Sequence, residues 1–166
     1  MELTVIYPHQ LFVDHPCLQA DRPVVLIEDP LFFGTDPEWP MQVHRQRLLL
    51  HRCSMTVFAE SLRRQGFNVL EQRHHHAADT QGHLQALHSM GYRHFHLADP
   101  VDDLLNKRLR RFAQRNGCKL EFTATPMLLT PDSVVSEHFA SGRKPFMAKF
   151  YEMQRRRLNV LLDADG

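Results

Sequence analysis

The sequence predicts an α/β fold: a Rossmann-like, doubly wound, five-stranded parallel sheet with helices on both faces, plus C-terminal helices. Strand-like runs alternate with helical stretches as far as about Thr125, which is typical of βαβ units. The run at residues 23–28 is almost continuously apolar, as expected for a strand buried on both faces of a parallel sheet. Right-handed crossovers then favour the doubly wound topology.

Strands are predicted where short apolar or β-branched runs are bounded by turn residues. The first run ends at Pro8, and the second begins at Pro23. The five strands are expected at residues 3–7, 23–28, 68–73, 94–98 and 119–125. The first two are expected to be adjacent and central in the sheet.

Helices are predicted between the strands, where apolar residues recur at helical spacing. The longest covers residues 41–65 and is followed by Gly66, the residue type preferred just after a helix. A helix capped by Asp79 or Thr80 runs to residue 90, and another runs from Asp99 to Gly117. Residues 29–40 are rich in Pro, Gly and Asp and are expected to form a loop.

The C-terminal part is predicted as a separate segment, so the domains are residues 1–130 and a helical linker or docking segment at 131–166. Thr130 is expected to cap a helix that ends at Gly142, and a last helix begins near Pro145. This last stretch has three possible interpretations: a solvated helix face, a surface that contacts phosphates, or a connector to a domain that follows. The apolar stripe of the connector would be Phe146, Phe150, Met153 and Leu158.

Composition bounds the possible partners. The 166 residues suffice for a single core, and 20 basic against 19 acidic side chains give a net charge of +1. Global charge therefore predicts neither a nucleic-acid nor a membrane partner. A local basic surface is nevertheless expected near the C-terminus, with weak nucleic-acid contacts from Arg143, Lys144, Lys149, Arg155 and Arg156.

The cysteines and the N-terminus predict a cytoplasmic protein. Cys17, Cys53 and Cys118 form no CxxC pair and no zinc spacing, so they are interpreted as reduced thiols. The sequence contains neither a secretory signal pattern nor an apolar run long enough to span a membrane.

Polar residues follow the predicted strands, and ligands of open parallel sheets bind at the carboxyl ends of the strands. His9 and Gln10 follow the first strand, Glu28 and Asp29 the second, and Asp99 the fourth. An amide and a carboxylate at this edge suit a neutral heteroaromatic ligand with mixed donors and acceptors. The alternative is that Glu28 and Asp99 only cap the segments that follow them.

No metal site and no catalytic constellation are predicted. Consecutive residues of an extended chain point in alternate directions, so the histidines at 74–76 cannot all face one ion. His94 and His96 share a strand face, but neither has a nearby Cys, Asp or Glu at a recognised spacing. The dinucleotide, P-loop and nucleophile-elbow motifs are all absent from the sequence.

An ordered set of motifs resembles one family. The motifs are Gln10-Leu11, Glu28-Asp-Pro-Leu-Phe-Phe33, His44-Arg-Gln-Arg-Leu48, Met55-Thr-Val-Phe-Ala-Glu-Ser-Leu62, Asp99-Pro-Val-Asp-Asp103, Leu128-Leu-Thr-Pro131, Gly142-Arg-Lys144, Phe150-Tyr151 and Arg155-Arg156. Together they are similar to the N-terminal domain of deoxyribodipyrimidine photolyase-related proteins, the iron–sulfur bacterial cryptochromes and (6-4) photolyases.

This resemblance implies an antenna domain that binds 6,7-dimethyl-8-ribityllumazine and passes excitation to a flavin. It places the antenna contacts on His9, Gln10, Leu11, Glu28, Asp29, His44, Leu48 and His51. The strand-end position adds Asp99 to the predicted binding residues. The resemblance also implies that FAD, a 4Fe–4S cluster and most of the surface that binds damaged DNA belong to a following helical domain of the parent protein.

Two alternatives remain open at this point. One is a stand-alone nucleotide-binding or interaction module on the same fold. The other is a small enzyme of the adenine-nucleotide α-hydrolase kind, which is disfavoured because no Gly-rich phosphate loop follows the first strand.

Overall fold

The computed structural model describes residues 1–75, 79–140 and 146–162. The chain divides into two compact units, Met1–Pro126 and Met127–Gly166. No helix in these described ranges is long and apolar enough to cross a membrane.

The first unit contains a five-stranded, all-parallel sheet, which confirms the predicted fold class. The strand order is β3-β2-β1-β4-β5, so the two halves of the sheet grow in opposite directions from the boundary between β1 and β4. β1 and β2 are adjacent, as predicted. The strands are β1 Glu2–Ile6, β2 Val24–Ile27, β3 Val69–Gln72, β4 His94–Ala98 and β5 Lys119–Thr123.

Helices cover both faces of the sheet. The helices of this unit are α1 Pro30–Phe33, α2 Arg45–Arg64, α3 Thr80–Ser89 and α4 Asp103–Asn116. Apolar side chains of α3 and α4, such as Leu87 and Leu109, pack with Val5 and Phe95 on one face. On the other face, α2 packs against Ile6 and its neighbours in β2. The fully buried strand residues supply the hydrophobic driving force for both layers.

Three predicted element boundaries are corrected by local capping. The long helix begins at Arg45, because His44 is its N-cap and accepts a hydrogen bond from the backbone of Gln46. The helix predicted to open at Asp99 begins at Asp103, since the side chain of Asp102 caps it. Part of the predicted loop at 29–40 forms the short helix α1, which is capped by Asp29.

The second unit contains two helices, α5 Asp132–Phe139 and α6 Met147–Leu158. Neither helix has a buried residue, and the ring of Phe150 stacks on Phe139 at 5.3 Å between centroids. The predicted cap at Thr130 is wrong: Pro131 is the N-cap, and no side chain caps the helix. Two of the predicted basic contacts, Arg143 and Lys144, lie outside the described residues.

Candidate ligand site at the carboxyl edge of the sheet

Glu28 is the centre of a polar cluster at the end of β2. Its side chain is 6% exposed, and its two oxygens accept hydrogen bonds from Arg52 Nε at 3.1 Å and Nη2 at 2.7 Å. The backbone N–H of His74 donates to the same carboxylate at 2.8 Å. A buried carboxylate requires such partners, and here they join β2, α2 and the segment after β3.

A cavity of about 540 Å³ opens beside this cluster, within the size range of small-molecule sites. Its lining residues on α2 recur at i, i+3, i+4 and i+7, so they form a single face of that helix. The lining residues are Phe33, Thr35, Arg45, Leu48, Leu49, Arg52, His74 and His75.

Flat side chains surround Phe33 in the wall of the cavity. The His74 ring stacks on Phe33 at 5.1 Å between centroids, with 23° between the ring planes. The Arg52 guanidinium lies 5.7 Å from the centre of the Phe33 ring, and His51 is tilted against that ring at 6.1 Å. Such a wall favours a planar, conjugated ligand that can stack and accept hydrogen bonds from arginine.

The residues after β1 connect the two halves of the sheet. Gln10 is fully buried, and its amide donates to the carbonyl of Ala98 at 2.9 Å while accepting from the Tyr7 N–H at 3.3 Å. His9 Nε2 lies 3.0 Å from the carbonyl oxygen of Pro100, and its ring stacks on Phe32. Burial lowers the pKa of His9. Both side chains therefore hold the loop after β1 against the loop after β4.

Asp29 is a buried acid beside the cluster. Its side chain accepts from the Leu31 N–H at 3.0 Å and so caps α1. Burial raises the pKa of Asp29 to about 6, and this effect outweighs the lowering by the Leu31 N–H and by nearby Thr80 and Arg108. Arg108 itself binds the buried Asp36 at 2.9 Å, which fastens the loop after α1 onto α4.

The remaining predicted residues occupy different positions. Leu48 lines the cavity, whereas His51 lies next to Phe33 and its pKa is lowered by burial and by Arg47. Leu11 packs into the core layer that contains α2. Asp99 accepts from the Val101 N–H at 2.9 Å, which is the capping role that the sequence left open as an alternative.

Sequence reasoning missed Arg52, which lines the cavity and binds Glu28. Phe33, which also lines the cavity, ends one of the family motifs but was not among the predicted antenna contacts. The signal for Arg52 was the spacing of Arg45, Leu48 and Leu49 before it, which is that of one helix face. A buried glutamate at a strand end also requires a cationic partner, and α2 is the first long helix after Glu28.

A protein family and a curated viral protein match this chain. The family described as deoxyribodipyrimidine photo-lyase-related protein matches residues 4–166. An uncharacterized protein of Acanthamoeba polyphaga mimivirus is 23% identical over an alignment 175 residues long, gaps included, which covers 98% of this chain and 86% of that protein. The match over residues 4–166 shows that the chain belongs to the deoxyribodipyrimidine photo-lyase-related protein family.

Proposed function

We propose that this chain is the N-terminal antenna-chromophore domain of a photolyase-related flavoprotein of the iron–sulfur cryptochrome and (6-4) photolyase type. The parent protein would act in light-dependent DNA repair or light sensing. The observation that carries the proposal is the cavity at the end of β2, where Phe33, His74 and Arg52 form a flat, hydrogen-bonding wall.

The proposed ligand is 6,7-dimethyl-8-ribityllumazine, a planar conjugated bicycle with ring carbonyls and a polyhydroxylated side chain. The bicycle would stack against the wall formed by Phe33 and His74 and would contact Leu48, while Arg45 and Arg52 would donate hydrogen bonds to the ring carbonyls. The Thr35 hydroxyl, which lies 3.2 Å from His74 Nε2 and lines the same cavity, would bind the ribityl chain. When bound, this chromophore absorbs near-ultraviolet light and passes the excitation on.

Glu28 acts through Arg52 in this proposal. Its bidentate contact holds the guanidinium in one orientation, so it is a positioning residue. His9, Gln10, Leu11, Asp29 and Asp99 shape the sheet edge around the site, and His44 and His51 set the start and the inner face of α2.

The flavin and the iron–sulfur cluster are assigned to a further domain of the parent protein. The chain has three cysteines, one fewer than a four-cysteine cluster requires, and Cys17 is buried whereas Cys53 is exposed. These residues do not fit the cluster. We expect the cysteines to stay reduced in the cytoplasm.

Exposed apolar side chains of the second unit support docking onto that further domain. Leu129, Phe146 and Met147 are each more than 60% exposed, and a following domain would cover them. Lys149, Arg155 and Arg156 on α6 are the proposed weak contacts to the phosphates of damaged DNA.

A fluorescence titration of the purified chain with the lumazine tests the proposal, with FAD and ATP as parallel ligands. We expect saturable lumazine binding, and we expect Arg52→Gln to weaken the affinity at least about tenfold, which corresponds to about 1.4 kcal/mol of binding free energy. Arg63→Gln is the matched control, since Arg63 lies on the same helix but binds Glu71. Equal lumazine affinity in both variants, or no lumazine binding by the parent chain, would refute the proposed site.

A second candidate is a stand-alone nucleotide-binding or interaction module. The chain spans 86% of the mimivirus relative, so that protein has little beyond the matched part. Stabilisation of the chain by ATP but not by the lumazine would favour this candidate. A ligand at about 100 times its Kd raises the free energy of unfolding by about 2.7 kcal/mol.

A further inference from the structure

Four ionisable side chains project from one face of the sheet, far in sequence from one another. Glu2 on β1 pairs in register with His94 on β4, and His96 pairs with Glu121 on β5. Alternate residues of a strand point to the same face, so these four share the face that α2 covers elsewhere. The cluster takes no part in the cavity at the end of β2.

The four side chains form a closed set of contacts. Glu2 Oε1 lies 3.1 Å from His94 Nδ1, and Glu2 Oε2 lies 2.9 Å from His96 Nε2. Glu121 faces the opposite ring nitrogens, at 3.2 Å from His94 Nε2 and 3.7 Å from His96 Nδ1. Each imidazole therefore presents one nitrogen to Glu2 and the other to Glu121.

We propose that Glu2, His94 and His96 bind a divalent transition metal ion of the zinc class. Their ligand atoms all lie within 4.8 Å of one another. Ligands of a tetrahedral zinc ion at about 2.1 Å stand about 3.4 Å apart, so small side-chain rotations bring these three atoms to bonding distance. Two imidazoles and one carboxylate leave positions open for water or a substrate.

Glu121 is the positioning residue of this site. When His94 and His96 bind the ion through the nitrogens that face Glu2, their other nitrogens carry hydrogen: that of His94 donates to Glu121 at 3.2 Å, and that of His96 faces it at 3.7 Å. A carboxylate that accepts from a metal-bound imidazole fixes the orientation and tautomer of the ring. The two carboxylates also balance the charge of the ion.

The histidines of the cluster are more sheltered from solvent than its glutamates. The rings of His96 and His94 are sheltered, with 9% and 18% of their side chains exposed, while both glutamates are about half exposed. Two cations face the cluster: Arg22 Nε stands 3.9 Å from Glu2, and Lys119 Nζ stands 3.5 Å from Glu121. Arg22 is too distant for a good hydrogen bond, so it leaves Glu2 available to a metal.

The sequence-based argument against a metal here rested on the absence of a carboxylate at a recognised spacing. The fold removes that argument, because the carboxylates come from neighbouring strands, more than 90 residues before His94 in one case and 27 residues after it in the other.

Titration of the purified, metal-stripped chain with Zn²⁺ and Co²⁺ tests the proposal, with calorimetry for stoichiometry and visible absorption for cobalt geometry. We expect one equivalent to bind, with the intense visible bands of a four- or five-coordinate cobalt ion. His96→Asn should weaken binding at least about 100-fold, and Glu121→Gln about 10- to 100-fold, as outer-shell changes typically do. His88→Gln on α3 is the matched control and should leave the affinity unchanged.

Affinity that is the same in the parent chain, His96→Asn and His88→Gln would overturn the proposal, because the ion would then be bound elsewhere. Glu121→Gln keeps a polar side chain of similar size and provides a second variant if His96→Asn fails to fold. The lumazine affinity of the Glu121→Gln variant should equal that of the parent chain, so failure of this site and failure of the antenna site are separate results.

Discussion

Replacing Arg52 with Met removes the guanidinium that binds Glu28 while keeping an aliphatic stem on α2. The Glu28 carboxylate would keep the backbone N–H of His74 at 2.8 Å but lose both hydrogen bonds from Arg52. Because Glu28 is 5% exposed, water cannot fully replace them.

The size of the effect follows from the exposure of the two partners. Breaking a fully buried ion pair costs about 3–5 kcal/mol, whereas an exposed pair contributes at most about 1 kcal/mol. Here the carboxylate is buried and 48% of the Arg52 side chain is exposed. We therefore expect Arg52→Met to lower the free energy of unfolding by about 2 kcal/mol, between those limits.

A double-mutant cycle with Glu28→Gln isolates the pairwise contribution. Glu28→Gln alone should cost about 1 kcal/mol, since the amide oxygen can still accept from His74. The double variant should be less destabilised than the sum of the single variants by about 1 kcal/mol.

Urea denaturation followed by circular dichroism provides the measurement, with the midpoint compared at constant m value. Arg63→Met is the control, because its partner Glu71 is partly exposed and the expected loss is below about 1 kcal/mol. A change below about 0.5 kcal/mol in Arg52→Met, or strict additivity of the two single variants, would refute the argument that Glu28 depends on Arg52.

Three further predictions concern stability, each measured by urea unfolding. Gln10→Leu should cost about 2 kcal/mol, because it deletes the bonds to Ala98 and Tyr7; an unchanged midpoint would contradict this. Folding raises the pKa of Asp29 from 3.8 to about 6, so its contribution is present below pH 3.8 and is lost as pH rises through 6. The free energy of unfolding of Asp29→Asn, relative to that of the unmodified chain, should therefore increase between pH 4 and 7 by up to about 3 kcal/mol. A difference that does not change with pH would contradict this prediction. Val101 has a φ of 55°, so Val101→Gly should stabilise by about 1 kcal/mol, whereas Val57→Gly in α2 should destabilise.

Local patterns were sufficient for the fold class because each strand and helix carries its own signal. The apolar run of β2 and the helical spacing of α2 are properties of consecutive residues, and chain alternation then restricts the topology. Cap positions such as His44 and Asp102 were less predictable, since several polar residues compete for each helix start.

The same logic explains which parts of the candidate sites were predictable. Glu28 was found because strand ends of a parallel sheet converge on one edge, but its partner Arg52 was not, since the pairing depends on how α2 packs. His94 and His96 were recognised as sharing a face, yet only strand register brings Glu2 and Glu121 beside them.

Local periodicity and chain order were sufficient to predict the parallel α/β architecture and the edge where polar side chains collect, and the ordered motifs carried the resemblance to the photolyase-related family. The packing of the chain then determines which of the predicted site residues form internal hydrogen bonds, as Gln10 does, and which line a cavity, as Leu48 does. It also assembled the cluster of Glu2, His94, His96 and Glu121. Contacts between distant residues depend on helix packing and strand register, and no window of consecutive residues contains that information.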